Sequence, residues 1–388
     1  MLWRPGFLAF LPKDRVVVME NRNNEVEDLI TVSVVTFNHA PYIKQCIDSI
    51  LGQTWQNLEI LVVDDCSTDE TVDLVKSYRD PRINLITKKK NRGCSDSTDV
   101  YLRRATGRYI ATMCGDDRMA TPFKIEKQVE FLKRNERCSV VFSDIELIGE
   151  RGETLDARTS SAKQILQVFQ SGIQNQEPEQ LLNTFFLIGN VLAGPTMFAD
   201  MRVFHQFGSF DCRYLQLQDF DMSIRLLING VGVAVIPEKT VSYRIRDNHM
   251  NLSAITTESV NRLVYERARI LEQYWKVSLQ QFKTIFPEDV FSGEENELLV
   301  PYYLQDMFSK SHEMFAKLFR INTLYHLYGQ SPEMARIIED YEGFLPTDFY
   351  KLLGEISYSK NELSLKALRR SLKASVRNFS KRILKYFD

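Results

Sequence analysis

A chain of 388 residues, 44% hydrophobic and 26% charged, can bury a large core and reads as an ordinary globular protein of two or three domains. Its 49 basic and 51 acidic residues leave a net charge of −2, which excludes a polyanion-coating protein, so no nucleic-acid partner is expected. Six cysteines, never spaced as C-x-x-C, exclude a zinc knuckle or a redox pair and fit a reducing, cytoplasmic setting.

The opening MLWRPGFLAFLP is apolar, but Pro5 and Pro12 bracket a run too short for a signal core, and no stretch nears the roughly 20 apolar residues of a membrane span. Residues 1–30 are expected to be a poorly structured lead-in, with Met1 and Met19 both open as the natural start. Thr31–Phe37 is a β-branched apolar strand, and Pro41–Gln53 repeats apolar residues at a helical period. Glu59–Asp64 is a second buried strand. Ser67–Glu70 reads as a capping box that opens a helix to about Tyr78. Ile83–Thr87, Tyr109–Met113 and Ser139–Ser143 are further strands, and Thr121-Pro122 starts another helix. This alternation predicts an α/β fold with a mainly parallel sheet flanked by helices.

Residues 150–185 are polar and read as a loop with one short helix. Ala193–Phe198 and Gly232–Ile236 return as strands around a helix at Asp219–Leu227. Near residue 255 the character changes to helical periodicity with few β-branched residues. The expected organisation is therefore a lead-in (1–30), an α/β domain (31–255, with a 31–145 half and a 190–255 half) and a helical C-terminal region (256–388). Within 360–388, apolar residues recur in steps of three and four, and nine lysines and arginines face only two acids. Such a helix suits an anionic membrane surface; packing on its own domain is the other reading.

Ligands of open parallel sheets bind beyond the carboxyl ends of the strands, and there the acids collect. Asp64-Asp65 ends the second strand; Asp65 suits a nucleoside's base or ribose, although acids near a helix start also complement its dipole. Asp116-Asp117 follows the fourth strand. Two adjacent carboxylates repel, and a divalent cation shared with a diphosphate relieves that repulsion; hard oxygen ligands favour Mg2+ or Mn2+. A solvated turn is the bland alternative. No glycine loop of the kind that cradles phosphate is present, so Lys88, Lys89, Lys90 and above all Arg92 are the side chains left to assist a diphosphate.

The run VSVVTFNHAPYIKQCIDSILGQTWQNLEILVVDDCSTDET resembles the opening of the family 2 glycosyltransferases. The likeness continues through KNRG (90–93), ATGRYIATMCGDD (105–117), GPTMF (194–198), FGSFD (207–211), LQLQDFDMSIRLLINGV (215–231) and YRIRDNHMNLS (243–253). It covers about residues 31–253, less the 150–190 insert. The resemblance implies a GT-A fold and an inverting, metal-dependent transferase that uses a nucleoside diphosphate sugar, with a UDP-sugar the leading expectation. Its acceptor would be a hydroxyl of a glycan or lipid-linked molecule in bacterial surface polysaccharide synthesis. Carried over by position, Thr36, Asn38 and Asp65 would contact the nucleoside, Asp116 the metal and donor, Asp117 the metal, and Asp219 would be the general base.

Three departures stand out. Cys114 replaces the first acid of the family's D-x-D-D stretch, Arg246 stands where a metal-binding histidine is common, and CSDSTD follows KNRG in place of the usual run. His249, three residues late, is a candidate diphosphate contact. Asp221 lies about 200° round the helix from Asp219 and is expected to be structural. A nucleotidyltransferase would want a glycine- and lysine-rich activating loop near the first strand, which is absent. A silent nucleotide-sugar-binding or scaffold protein is the alternative that Cys114 and Arg246 keep open.

Overall fold

The computed structural model describes residues 28–156, 176–246, 251, 256–287, 296–342 and 344–354. The basic 360–388 segment, His249 and residues 1–27 of the lead-in lie outside them. Asp28 is in place: its carboxylate pairs with Arg108 (2.9 Å) and Lys133 (3.1 Å), so the chain is anchored just before the first strand.

One eight-stranded sheet organises the protein. In chain order its strands are β1 (Ile30–Thr36), β2 (Leu58–Asp64), β3 (Ile83–Thr87), β4 (Tyr109–Cys114), β5 (Arg118–Met119), β6 (Cys138–Ile148), β7 (Phe198–Asp200) and β8 (Gly232–Arg244). They lie in the order β3-β2-β1-β4-β7-β6-β8-β5. The β3-β2-β1-β4 half is parallel, as the alternation of strands and helices predicts. In the other half only β6 and β8 run parallel, and short antiparallel strands join the two halves and close the edge.

Thirteen helices surround the sheet among the described residues. They are α1 (Ile43–Leu51), α2 (Thr71–Lys76), α3 (Cys94–Arg104), α4 (Lys124–Arg134), α5 (Pro178–Leu187), α6 (Met201–Phe207), α7 (Gln218–Ile228), α8 (Thr257–Leu271), α9 (Leu279–Ile285), α10 (Val300–Asp306), α11 (Met314–Gln330), α12 (Pro332–Glu342) and α13 (Pro346–Gly354). None is long and apolar enough to cross a membrane.

Alternate residues of each strand face opposite sides, which divides the core in two. Ile30, Val32, Val34, Ile60, Val62, Ala111 and Met113 pack with α1 and α4. Leu61, Val63, Ile110, Val140 and Phe142 pack with α5, α7 and the helices from α8 to α12 in one continuous cluster. Helices α8 to α12 therefore lie on one face of the sheet.

Local differences from expectation have physical causes. Ser67 does not cap α2: the Thr71 N–H donates to Asp69 Oδ1 (3.0 Å), Ser67 donates back to Asp64, and the Thr68 N–H donates to Asn38. Residues 194–196 form a 3-10 turn instead of a strand, because Pro195 has no N–H to give a ladder. Strand β8 runs thirteen residues, straight past Pro237; the register slips there, from Ser143 opposite Ile236 to Asp144 opposite Lys239, so the proline sits in a bulge. Helix α3 was not foreseen. Its buried face begins with Ser95, Ser97 and Thr98 and turns apolar only at Tyr101 and Leu102, which leaves no apolar period in its first turns.

Candidate active site

The parallel pairing brings Thr36, Asp64 and Cys114 to one edge of the sheet, and the chain leaves each strand there. Beyond β1 the backbone turns through Asn38, whose φ of 52° is left-handed, as asparagine tolerates. Asn38 is built into this turn: its N–H donates to Ser67 Oγ (2.9 Å), and its Oδ1 accepts from Thr68 N–H (2.8 Å). Thr36 is buried, and its hydroxyl finds no hydrogen-bond partner among the described residues.

Asp65 is buried and well engaged. It accepts the N–H groups of Arg92 (3.0 Å) and Gly93 (2.7 Å) and pairs with Lys88 (2.6 Å), which also bridges to Asp96 (2.7 Å). The 88–93 loop is thus folded onto the end of β2, with Gly93 at a φ of 86° that favours glycine. Arg92 leaves its guanidinium exposed beside Asp96.

The acid pair sits at the end of β4. Asp117 is 2% exposed; its Oδ1 accepts the N–H of Arg244 (2.8 Å), while its buried Oδ2 has no partner among the described residues. Burial, and then repulsion by Asp116, raise the Asp117 carboxyl well above its ordinary pKa. The Asp116 carboxylate faces His39 Nε2 at 3.7 Å and Arg246 Nη1 at 3.8 Å, both beyond hydrogen-bond reach. Burial lowers the pKa of His39, and its Nδ1 has no partner either. The Cys114, Asp116 and Asp117 ligand atoms all lie within 4.8 Å of one another, so the cysteine that breaks the acid motif belongs to the cluster. Gly115 lets the loop pass: a Cβ there would lie 2.6 Å from Thr36 Oγ1 and 2.9 Å from His39 Nδ1.

Asp219 opens α7. Its Oδ1 accepts Phe220 N–H (2.8 Å), and Asn190 also bonds its side chain. Burial nonetheless pushes the Asp219 carboxyl up to about 6, against those two hydrogen bonds. The turn at Gly194 lies against this carboxylate, a Cβ there falling 3.0 Å from Asp219 Oδ2, and Thr112 of β4 donates to Gly194 O (2.6 Å). The start of α7 is thereby fixed beside the end of β4. On its other flank Gln218 donates to Cys94 Sγ (3.7 Å), and Ser95 bonds the carbonyl of Tyr214. Asp221 points elsewhere, to Arg225 (3.3 Å) and Gln273 (2.8 Å).

Residues 31–188 match the model of glycosyl transferase family 2. An uncharacterised glycosyltransferase of Methanocaldococcus jannaschii is 28% identical over 58% of this chain and 73% of its own length. The putative teichuronic acid biosynthesis glycosyltransferase TuaG of Bacillus subtilis is 35% identical over 33% of this chain and 51% of its own. The chain spans about half to three-fifths of TuaG and the next curated relatives. Among solved structures, residues 1–349 of S. aureus TarS share the fold at a TM-score of 0.50 with 16% identity, covering 78% of this chain and 93% of that one.

Residues 31–188 are thus similar to a family 2 glycosyltransferase domain.

Reading the sequence alone missed two members of the cleft, His39 and Arg244. His39 stands directly after Asn38, where a ligand-facing turn could have drawn notice. Arg244 is a fully buried arginine at the end of an apolar strand, a combination rare without a structural or binding role. A third, Glu266, comes from α8; it is buried and accepts the N–H groups of Leu215 (2.8 Å), Gln216 (3.0 Å) and Leu217 (2.9 Å), the residues that lead into α7. Its sequence surroundings do not mark it, because Arg262 and Arg269 stand one turn away on either side and read as a solvated ion-pair face.

Proposed function

We propose that this enzyme is an inverting glycosyltransferase that moves a sugar from a nucleoside diphosphate donor, a UDP-sugar foremost, to a hydroxyl of a glycan or lipid-linked acceptor, with Asp219 as general base. The observation that carries this reading is the Asp219 carboxylate itself. It is held at the start of α7 beside the end of β4, and burial raises its proton affinity to about 6. An acceptor hydroxyl is a poor nucleophile, and a carboxylate of raised pKa takes its proton well while remaining ionised at neutral pH. Attack from that side displaces the diphosphate and inverts the anomeric carbon.

Asp116 and Asp117 would hold Mn2+ or Mg2+, with Cys114 near enough to supply a third ligand atom. The residues fit such an ion: Asp117 Oδ2 is buried without a partner, and two adjacent acids lie in a low-polarity site. When bound, the metal offsets charge on the leaving diphosphate. Thr36, Asn38 and Asp65 would frame the nucleoside, and the exposed Arg92 lies at the rim for the diphosphate. Surface polysaccharide synthesis is supported by the name of TuaG, and a UDP-sugar by the TarS structure in complex with UDP-GlcNAc. The basic 360–388 segment would bring the enzyme to the inner face of a membrane, where lipid-linked acceptors reside; this part rests on sequence alone.

The test is transfer and donor hydrolysis from a panel of nucleotide sugars with Mn2+. Asp219→Asn is expected to lower the rate by on the order of 10²–10⁴ while nucleotide affinity stays unchanged. Equal turnover by the wild type and the variant would remove Asp219 from the mechanism.

A further inference from the structure

Two arginines reach the acid pair from the end of β8, and they are used very differently. Arg244 is fully buried, and its donors are occupied: Nε by Asp116 O (2.7 Å), Nη1 by Gly149 O (2.9 Å) and Glu150 O (3.0 Å), Nη2 by Gln45 Oε1 (2.9 Å). It is a strut that fixes the 116–117 loop. The side chain of Arg246, two residues on, is only 11% exposed, yet its closest acid is Asp116 at 3.8 Å, and its Nε is buried without a partner among the described residues. Its backbone is pinned, because Asn251 accepts Arg246 N–H (2.7 Å) and donates to Arg244 O (2.8 Å). The Tyr42 ring supports the guanidinium at 5.5 Å, a contact with the face of the plane that does not use its N–H donors.

A largely buried guanidinium with spare donors is costly, as each buried group left unpaired costs on the order of 1–3 kcal/mol. Around it Thr36 Oγ1, His39 Nδ1 and Asp117 Oδ2 are also buried and unpaired. Such a concentration is explained when a ligand supplies the missing partners. Asp116 is not that partner, being too distant to accept a hydrogen bond. A guanidinium's fork suits phosphate oxygens, so a phosphate group placed here would meet both the unpaired Nε–H and the charge.

We propose that Arg246 is a diphosphate-binding cation of the donor site, so that the nucleotide's charge is met by a fixed guanidinium as well as by a divalent metal. The inference rests on the cleft being the donor site. Its consequence is specific: where a metal-held diphosphate alone would be lost on chelation, this enzyme retains nucleotide affinity without metal.

Calorimetric titration of UDP, GDP, dTDP and inorganic pyrophosphate into the full-length protein, in EDTA and in Mn2+, tests it. The wild type is expected to bind its preferred nucleotide in both buffers. Arg246→Gln should lose about tenfold or more of the EDTA affinity, the weight of one or more charge-assisted hydrogen bonds, and become far more dependent on metal. Arg246→Lys, which keeps the charge but not the fork, should recover part of the loss, and so separates charge from folding if the glutamine variant melts early. Pyrophosphate binding that falls in parallel would place the contact on the diphosphate; nucleotide affinity falling alone, with pyrophosphate unaffected, would move it off the diphosphate and overturn the proposal. A wild type that binds in Mn2+ but not in EDTA overturns it too, as does an Arg246→Gln variant with unchanged affinity in EDTA. Binding of no nucleotide in either buffer would overturn the donor-site reading and this inference with it.

Discussion

At the scale of single residues, burial does most of the chemistry. The Asp219 carboxyl is raised to about 6 chiefly because its charge is desolvated, with hydrogen bonds from Phe220, Asn190 and its own backbone holding it from rising further. A base must be ionised to accept a proton, so kcat/KM is expected to rise with pH through about 6 and level off above it. A pH profile of the free enzyme checks this; a flat profile between 5 and 7 would mean that another group takes the proton. The acids at 116 and 117 stood out in the sequence because carboxylates at the end of an apolar run are out of place unless something meets them, whereas Asp219 was singled out only by the family resemblance. His39 was not, since nothing local says that Gly115, 76 positions later, leaves room for its ring. Cys114 read as a gap in an acid motif, and only three-dimensional proximity places its sulfur with the two carboxylates.

At the scale of elements, the informative contact is between α8 and the loop that enters α7. Three backbone N–H groups converge on the buried Glu266 carboxylate, which works as an external cap for a helix whose own N-cap, Leu217, has no side-chain acceptor. Glu266→Ala would strand those groups and is expected to destabilise the fold by on the order of 3 kcal/mol. Because the same loop sets where Asp219 lies, kcat should fall more than donor KM rises. Thermal melts and steady-state kinetics read the two effects separately, and a variant that melts early with unchanged kcat would make Glu266 a stabiliser only. Strands β1 to β4, the first parts of β6 and β8, and α1 were readable from their apolar runs, as was a helix through Asp219, whereas β5 and β7 were not. Helix α3 was hidden because small polar residues make its buried face, and the start of α2 was misread because Ser67 and Thr68 bond backwards to Asp64 and Asn38.

At the scale of the whole molecule, the apolar cluster on one face of the sheet runs without a break from Leu61 and Phe142 into Leu271, Phe282 and Phe319. The change in composition near residue 255 was plain in the sequence. What the C-terminal helices pack against was not, because periodicity marks a face as buried without naming its partner. Removing them would expose a large part of one core layer. A fragment of residues 28–255 is therefore expected to aggregate or to lack a cooperative unfolding transition, whereas the full chain melts once. A fragment that melts cooperatively and stays monomeric would show that the α/β part stands alone.

The Glu266 contact also bears on how such enzymes diversify. The acid that orders the entry to α7 is contributed from beyond the compositional break, so the two parts of the chain are not interchangeable modules. Swapping the helical part between relatives would succeed only where the incoming helix brings a carboxylate to the same place. Recombination at the apparent seam is then constrained by three amide hydrogens, and divergence in acceptor choice is left to loops that do not carry this contact.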